Sequence, residues 1–203
     1  MRHGHGVHTL QWLYRKTWGI LDKLRMNLSY KLVNSPVGVL KLVASDKSLV
    51  AILWENDDPR LVRLGDLVEE PHHPLLVRTE KELREYFAGK RRTFSIPLEM
   101  RGTRFQRQVW EFLLGIPFSE TCTYGNIATE LGNPAASRAV GGANRRNPIS
   151  IVVPCHRVVG AARNLTGFAG GLEAKTYLLK LETTNDEMMN LPCPPSRGHT
   201  NEH

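Results

Sequence analysis

A chain of 203 residues with a formal charge of +7 and 41% hydrophobic residues is long enough for one large domain or two small ones, and has the composition of a soluble globular protein. It holds no apolar run approaching the ~18 residues of a membrane span, and its basic balance points to a polyanionic partner unless the charge only solvates the surface. Its three Cys, at positions 122, 155 and 193, are odd in number and lack zinc-ligand or Cys-x-x-Cys spacing, which fits free thiols in a reducing compartment and no metal site.

Residues 1–25 mix Trp12, Leu13, Trp18 and Leu21 with Arg15, Lys16, Lys23 and Arg25. Two readings stay open: a short basic amphipathic helix on a membrane or partner, or residues that precede a true start at Met26. The apolar core of a signal peptide is missing. Segments 29–33, 39–44 and 48–54 are rich in Val, Leu and Ile, and Asn34-Ser35-Pro36 and Ser45-Asp46-Lys47 between them read as turns. An antiparallel meander is the simplest arrangement. Residues 56–74 are polar and punctuated by Pro59, Pro71 and Pro74, so parts of them read as loop; for His72 and His73 a metal role is open, with surface loop histidines the stronger reading. The spacing predicts a helix over 75–88 with Leu76, Leu83, Tyr86 and Phe87 inward and Gly89 ending it. This first part, 27–92, is a small α+β unit without a catalytic constellation of its own, placed to support the second part of the chain.

Residues 91–101 read as a connection. Thr103 then caps a helix through Leu114 with Phe105, Val109, Phe112 and Leu113 on one face. Thr123 caps a helix over 124–131 that Gly132 closes, and Asn133 caps a second over 135–143 with Pro134 at its first position. Two short helices around a Gly-Asn-Pro turn match a helix-turn-helix. The second helix sets one long cation, Arg138, among small residues that include Ala136, Ala139 and Gly141. Small side chains let a backbone approach another surface closely, and this helix offers almost no polar side chain to read base edges. A close-fitting, sequence-independent DNA surface is the better inference, since Arg138 would be costly in a protein core. Between Arg101 and Glu182, ten basic side chains, eight of them Arg, face five acidic ones, and the guanidinium fork suits phosphate.

Next comes the stretch from Asn147-Pro148 to Val158-Val159. Its continuous apolar run, bounded by Pro, reads as a buried strand with Cys155, His156 and Arg157 at the far end. A thiolate is the strong soft nucleophile among side chains, and its reactivity depends on a lowered pKa or a nearby base. Neighbouring side chains on a strand point to opposite faces. Cys155 and His156 therefore cooperate only if the chain turns after Pro154 or a water bridges them. A structural Cys beside a satisfied His is the bland reading of that dipeptide alone. Beyond lie a turn at 160–164, a Gly-rich loop at 165–171 and a helix over 172–182 with Glu173, Thr176 and Lys180 on its wet face. Glu182 sits at the edge of the apolar stripe, where a carboxylate tends to be paired. Residues 184–203 read as a disordered tail.

Pro154-Cys155-His156-Arg157-Val158, preceded by Asn147-Pro148, closely resembles the O6-alkylguanine-DNA alkyltransferases, from about Glu85 to Glu182 and more weakly back to about Leu28. The resemblance implies an α+β fold: a ribonuclease-H-like antiparallel-sheet domain over 27–92, then a mostly helical domain over 101–183 with the helix-turn-helix and the active-site Cys. It implies direct-reversal DNA repair, in which Cys155 irreversibly takes an alkyl group from O6-alkylguanine, and also from O4-alkylthymine, with no cofactor. The implied relay runs from the Cys155 thiol through water to His156 and then Glu182. Tyr124 would press the flanking phosphate, help rotate the nucleotide and protonate the departing guanine. Arg138 would fill the stack from the minor groove, with Ala136, Ala139 and Gly141 against the DNA. Val158, Phe168 and a backbone N–H near Ala169 would line the base pocket, and Asn147 would tie the turn before Cys155. The implied partner is double-stranded DNA and no membrane, and the implied state a monomer in the cytoplasm, or in the nucleus of a eukaryote.

Two stretches depart from that pattern. Ser119-Glu120 stands where a Gly is usual, and Ala161-Ala162-Arg163-Asn164 where an Asn-Gly-like pair is usual. They put loop shape in question, not the reacting groups. Two rivals remain at this level: a helix-turn-helix damage sensor or regulator without chemistry, and a Cys-His hydrolase, which would need an oxyanion hole and a direct Cys-His pair.

Overall fold

The computed structural model describes residues 28–55, 62 and 64–184; the two readings of residues 1–25, Cys193 and nearly all of the predicted tail lie outside the described residues. Strands β1 (Leu28–Ser35), β2 (Gly38–Ala44) and β3 (Leu49–Trp54) form the antiparallel meander. Along β2 the alternation sorts side chains by face. Leu40, Leu42 and Ala44 enter the main core, while Val43 joins Leu28, Val50 and Ala51 in a smaller cluster. A fourth strand, β4 (Leu67–Glu69), pairs in parallel with β1 and completes the order β3-β2-β1-β4. It falls in the stretch read from sequence as partly loop and is not singled out there, because three residues with two of them exposed carry no period to detect. Helix α1 (Pro74–Phe87) starts on Pro74, where a missing N–H costs nothing, and buries Leu76, Leu83 and Tyr86.

An open β3 edge would leave backbone groups unpaired, and the later chain covers it. Leu49 N–H donates to Pro97 O at 2.8 Å, Glu99 N–H to Leu49 O at 2.9 Å, and Ile52 N–H to Pro148 O at 2.9 Å. The residues read as a connection thus run along the sheet, and the segment leading into Cys155 is anchored on the same strand. A single hydrophobic cluster spans β2, β3, α1 and the later helices.

Helix α2 (Arg104–Leu114) opens with a reciprocal capping box between Thr103 and Gln106. It buries Trp110, which spacing alone did not single out, and Trp110 Nε1 donates to Ala143 O at 2.9 Å. Thr123 caps α3 (Tyr124–Glu130) as expected, by accepting from Asn126 N–H. Asn133 does not cap the second helix with its side chain. Its ψ of 83° falls short of the 158–164° at Thr123 and Thr103, the extended geometry from which a cap reaches back. Pro134–Ala136 instead forms one 3-10 turn, and α4 (Ser137–Arg145) begins two residues later than predicted. Two short parallel strands, β5 (Cys122–Thr123) and β6 (Val158–Val159), and helix α5 (Gly171–Thr183) complete the architecture. Among the described residues no helix is long and apolar enough to cross a membrane.

The apolar run ahead of Cys155 is buried but is not a strand. Asn147 folds it back: its Nδ2 donates to Val153 O at 2.8 Å and its Oδ1 accepts from Ile149 N–H at 3.0 Å. Val153 N–H closes on Ile149 O at 2.9 Å, and Ile151 sits at φ 74° inside the turn. Pro148 and Pro154 have no N–H to give a ladder. Cys155–Arg157 then forms a 3-10 turn, so strand geometry is confined to Val158 and Val159.

Both stretches that depart from the resembled pattern contain a non-Gly residue on the left-handed side, Ser119 at φ 68° and Arg163 at φ 57°. For an L-residue that conformation costs about 1–2 kcal/mol, whereas Gly concedes roughly 0.4–1 kcal/mol in unfolded-state entropy. Ser119→Gly should therefore stabilise the protein by up to about 1 kcal/mol. The check is a higher urea midpoint at unchanged slope; a lower midpoint would mean that the Ser119 side chain holds the loop.

Candidate active site

The site is assembled around one carboxylate. Glu182, near the end of α5, is 5% exposed, and its two oxygens receive five donors. Arg157 grips it twice, Nε to Oε2 at 2.8 Å and Nη2 to Oε1 at 3.0 Å. His156 Nε2 lies 2.8 Å from Oε1, Tyr86 Oη donates to Oε1 at 2.7 Å, and Ser119 N–H donates to Oε2 at 3.2 Å. Burial alone would raise the carboxyl pKa, but the hydrogen bonds from His156 and Arg157 and the Arg157 charge outweigh it and hold Glu182 well below the ordinary carboxylate range. Arg157 is fixed in turn by its Nη1–H bond to Ile116 O at 2.6 Å.

An ionised Glu182 decides the state of His156. The contact at 2.8 Å has the geometry of an ion pair, yet burial, the largest effect, lowers the imidazole pKa. The two agree if a neutral ring donates Nε2–H to the carboxylate. Nδ1 is then the bare, basic nitrogen, and among the described residues it has no hydrogen-bond partner. The Cys155 thiol is free, 3% exposed, and within hydrogen-bonding reach of Asn147 and Ser150. Burial pushes its pKa up despite those bonds and the nearby Lys175 charge. At rest the group is accordingly a thiol, which becomes a strong nucleophile only where a base takes its proton. The 3-10 turn after Pro154 replaces strict strand alternation at Cys155 and His156.

Lys175 had no role in the sequence argument. It is fully buried on α5 and donates to Val158 O at 2.6 Å and Thr166 O at 3.0 Å, which ties β6 to the loop ahead of α5. That loop also meets α3, where Tyr124 Oη lies 3.0 Å from Thr166 Oγ1. Phe168 packs edge-on to Trp54, centroids 5.3 Å apart, and faces His156 at 6.4 Å. Phe168 and Ala169 are half-buried beside this cluster, and Val158 is buried. Arg138 and Ala139 are exposed on α4, with Ala136 and Gly141 half-buried. A Cβ at Gly141 would meet the Tyr124 ring at 3.8 Å. The structure thus brings Cys155, His156, Glu182 and Asn147 together and leaves Arg138 on the surface. Sequence reasoning passed over Tyr86, Ser119, Ser150 and Lys175; a Lys at an interior position of α5 was the one available signal.

The fold is a sheet unit joined to a helical unit that buries a free Cys beside an imidazole and a carboxylate. The family described as 6-O-methylguanine DNA methyltransferase matches twice, its ribonuclease-like domain over residues 28–100 and its DNA binding domain over residues 104–184. A Methanosarcina mazei protein named methylated-DNA--protein-cysteine methyltransferase is 44% identical over 156 residues, covering 77% of this chain and 98% of that one. The constitutive Bacillus subtilis protein of that name is 41% identical over 157 residues, covering 75% and 94%. The Mycobacterium tuberculosis OGT, solved in complex with DNA, superposes with a TM-score of 0.72 at 41% identity over 77% of this chain and 93% of its own. The chain belongs to the 6-O-methylguanine DNA methyltransferase family.

The buried pair carries a pH signature. His156 is held below its ordinary 6.5 and Glu182 below 4.5, so the unfolded chain binds more protons than the folded one. Stability should be fully present above about pH 6.5 and fall on acidification, first as unfolded His156 takes its proton and then as Glu182 does. Urea titrations across that range check it, and His156→Gln should flatten the upper step. Stability that rises between about pH 6.5 and 5 would contradict the neutral imidazole.

Proposed function

We propose that Cys155 is the alkyl acceptor of this protein, a methylated-DNA--protein-cysteine methyltransferase that performs direct-reversal DNA repair. The protein binds DNA; its substrate is O6-alkylguanine in duplex DNA, with O4-alkylthymine a second, and it acts as a monomer. The target atom lies inside the duplex, so the nucleotide must rotate out at a cost of a few kcal/mol. Arg138, exposed on a helix of small residues, fills the gap in the stack, and Tyr124 presses the flanking phosphate. His156 Nδ1 takes the Cys155 proton through a water. The thiolate attacks the alkyl carbon, an S–C bond forms as the C–O6 bond breaks, and the electron pair leaves with guanine, which Tyr124 protonates. Glu182 stabilises the imidazolium, the part of a third, orienting group. The product thioether is a very poor leaving group, so each protein reacts once. The observation that carries this reading is the free buried thiol beside an imidazole pinned through Nε2 with Nδ1 bare.

With excess duplex carrying O6-methylguanine and no cofactor, methyl removal should stop at one per active protein. The peptide holding Cys155 should gain on the order of 14 Da, one methylene, and those holding Cys122 and Cys193 should gain nothing, because Cys155 has a base and an orienting carboxylate, while Cys122, against the expectation of free thiols, is disulfide-bonded. Cys155→Ala should abolish transfer and keep DNA binding. Multiple turnovers would revive the hydrolase reading. Arg138→Ala should slow repair of duplex DNA far more than reaction with free O6-alkylguanine; equal losses would place Arg138 in the pocket or the fold instead.

A further inference from the structure

The sheet unit reaches into the proton relay. Tyr86 lies on α1, 96 positions before Glu182, and is 1% exposed. Its Oη donates at 2.7 Å to the same Oε1 that lies 2.8 Å from His156 Nε2. Its ring is held against Phe87, Phe94 and Phe118, with centroids 5.5, 5.5 and 6.3 Å away. We propose that Tyr86 is a positioning residue for the transfer reaction: through the phenol–carboxylate bond, the ribonuclease-like unit fixes the Glu182 oxygen that orients and charges His156. The inference rests on the relay assigned above.

The physical effect is twofold. A carboxylate has about four lone-pair sites, and Tyr86 fills one on Oε1, so that together with the Arg157 and Ser119 bonds it holds the carboxylate against the imidazole. The phenol also draws negative charge out of Oε1. Burial and the Glu182 charge keep the phenol itself protonated, by pushing its pKa well above the ordinary value. The titratable and charged groups around Glu182 are His156 and Arg157, with Tyr177 near Tyr86, and those around His156 are Glu182, Arg157 and Lys175. Arg157 and Lys175 both disfavour a proton on His156. Loss of the phenol strengthens the one group that favours it. Without Tyr86 Oη, His156 should protonate at higher pH and be less often available as a base.

The test is the single-turnover rate of methyl transfer from duplex O6-methylguanine as a function of pH, for wild type and Tyr86→Phe. Phe keeps the ring contacts and removes only the donor. The acid limb should move to higher pH, and the rate on that limb should fall roughly tenfold, the weight of one hydrogen bond to a charged group. DNA affinity should be unchanged. In a Glu182→Gln background, Tyr86→Phe should add almost nothing, since both act through one contact. NMR titration of the His156 ring in the free protein should show the same upward displacement without any transfer. If Tyr86→Phe does not fold, 3-fluorotyrosine at position 86, a stronger donor, should move the limb to lower pH. An unmoved limb, or equal losses in both backgrounds, would make Tyr86 a packing residue and overturn the proposal. Absence of transfer by the wild type would overturn the assigned function, and this inference with it.

Discussion

The Glu182 carboxylate is the interaction on which the site and much of the fold depend. It joins α1 through Tyr86, the loop after α2 through Ser119, and the Cys155 turn through His156 and Arg157. Removing two charges from water is expensive, and a buried pair offsets the cost only with good geometry and satisfied lone pairs. Here both conditions hold: Arg157 is bidentate and places a third donor on Ile116 O. Cutting such a pair leaves an unpaired charge worth about 3–5 kcal/mol of destabilisation. The group proposed to orient the base is therefore also a structural joint, and substitutions at Glu182 would mix any loss of chemistry with loss of fold. The Tyr86 hydroxyl is a finer probe of the same oxygen.

The second constraint is how the thiol is held still. The chain enters the site from the β3 edge, through Ile52 N–H to Pro148 O, and Asn147 folds it back at once. Ile151 bears the strain of that fold at a φ of 74°, an outlier for a β-branched residue of the kind that gathers at functional sites. The strain is held from both sides, by the sheet edge before it and by the Cys155–Arg157 turn after it. A straight strand would have put Cys155 and His156 on opposite faces; the turn lets one short segment deliver the thiol, the imidazole and the guanidinium to one buried place.

Much of the architecture was legible in sequence because it is local. The meander shows in alternating Val, Leu and Ile, and the Thr103 and Thr123 caps show in the residues themselves. What escaped is what depends on partners far away in the chain. The 149–159 run has the composition of a strand, but Asn147 and two prolines deny it a ladder. Trp110 looked like one aromatic among several until Ala143 O gave its indole a partner. Cys155, His156 and Glu182 were readable from a motif and a helical stripe. Tyr86 was readable only as an inward residue of α1, since nothing in its own neighbourhood hints at a carboxylate 96 positions on.

The charge count shows the same limit and carries a physical consequence. Of the ten basic side chains between Arg101 and Glu182, Arg157 and Lys175 are buried, and Arg104, Arg107, Arg138, Arg145 and Arg146 are among those exposed. Composition counts them alike, but solvent does not. Exposed charges are screened within about 10 Å at 0.1 M salt, and phosphate contacts weaken steeply as salt rises. Arg157 and Lys175 are bonded to a buried carboxylate and to backbone carbonyls, in a region salt does not enter. Ionic strength therefore separates the two sets of charges: it weakens contacts made by the exposed ones and leaves the buried network as it was.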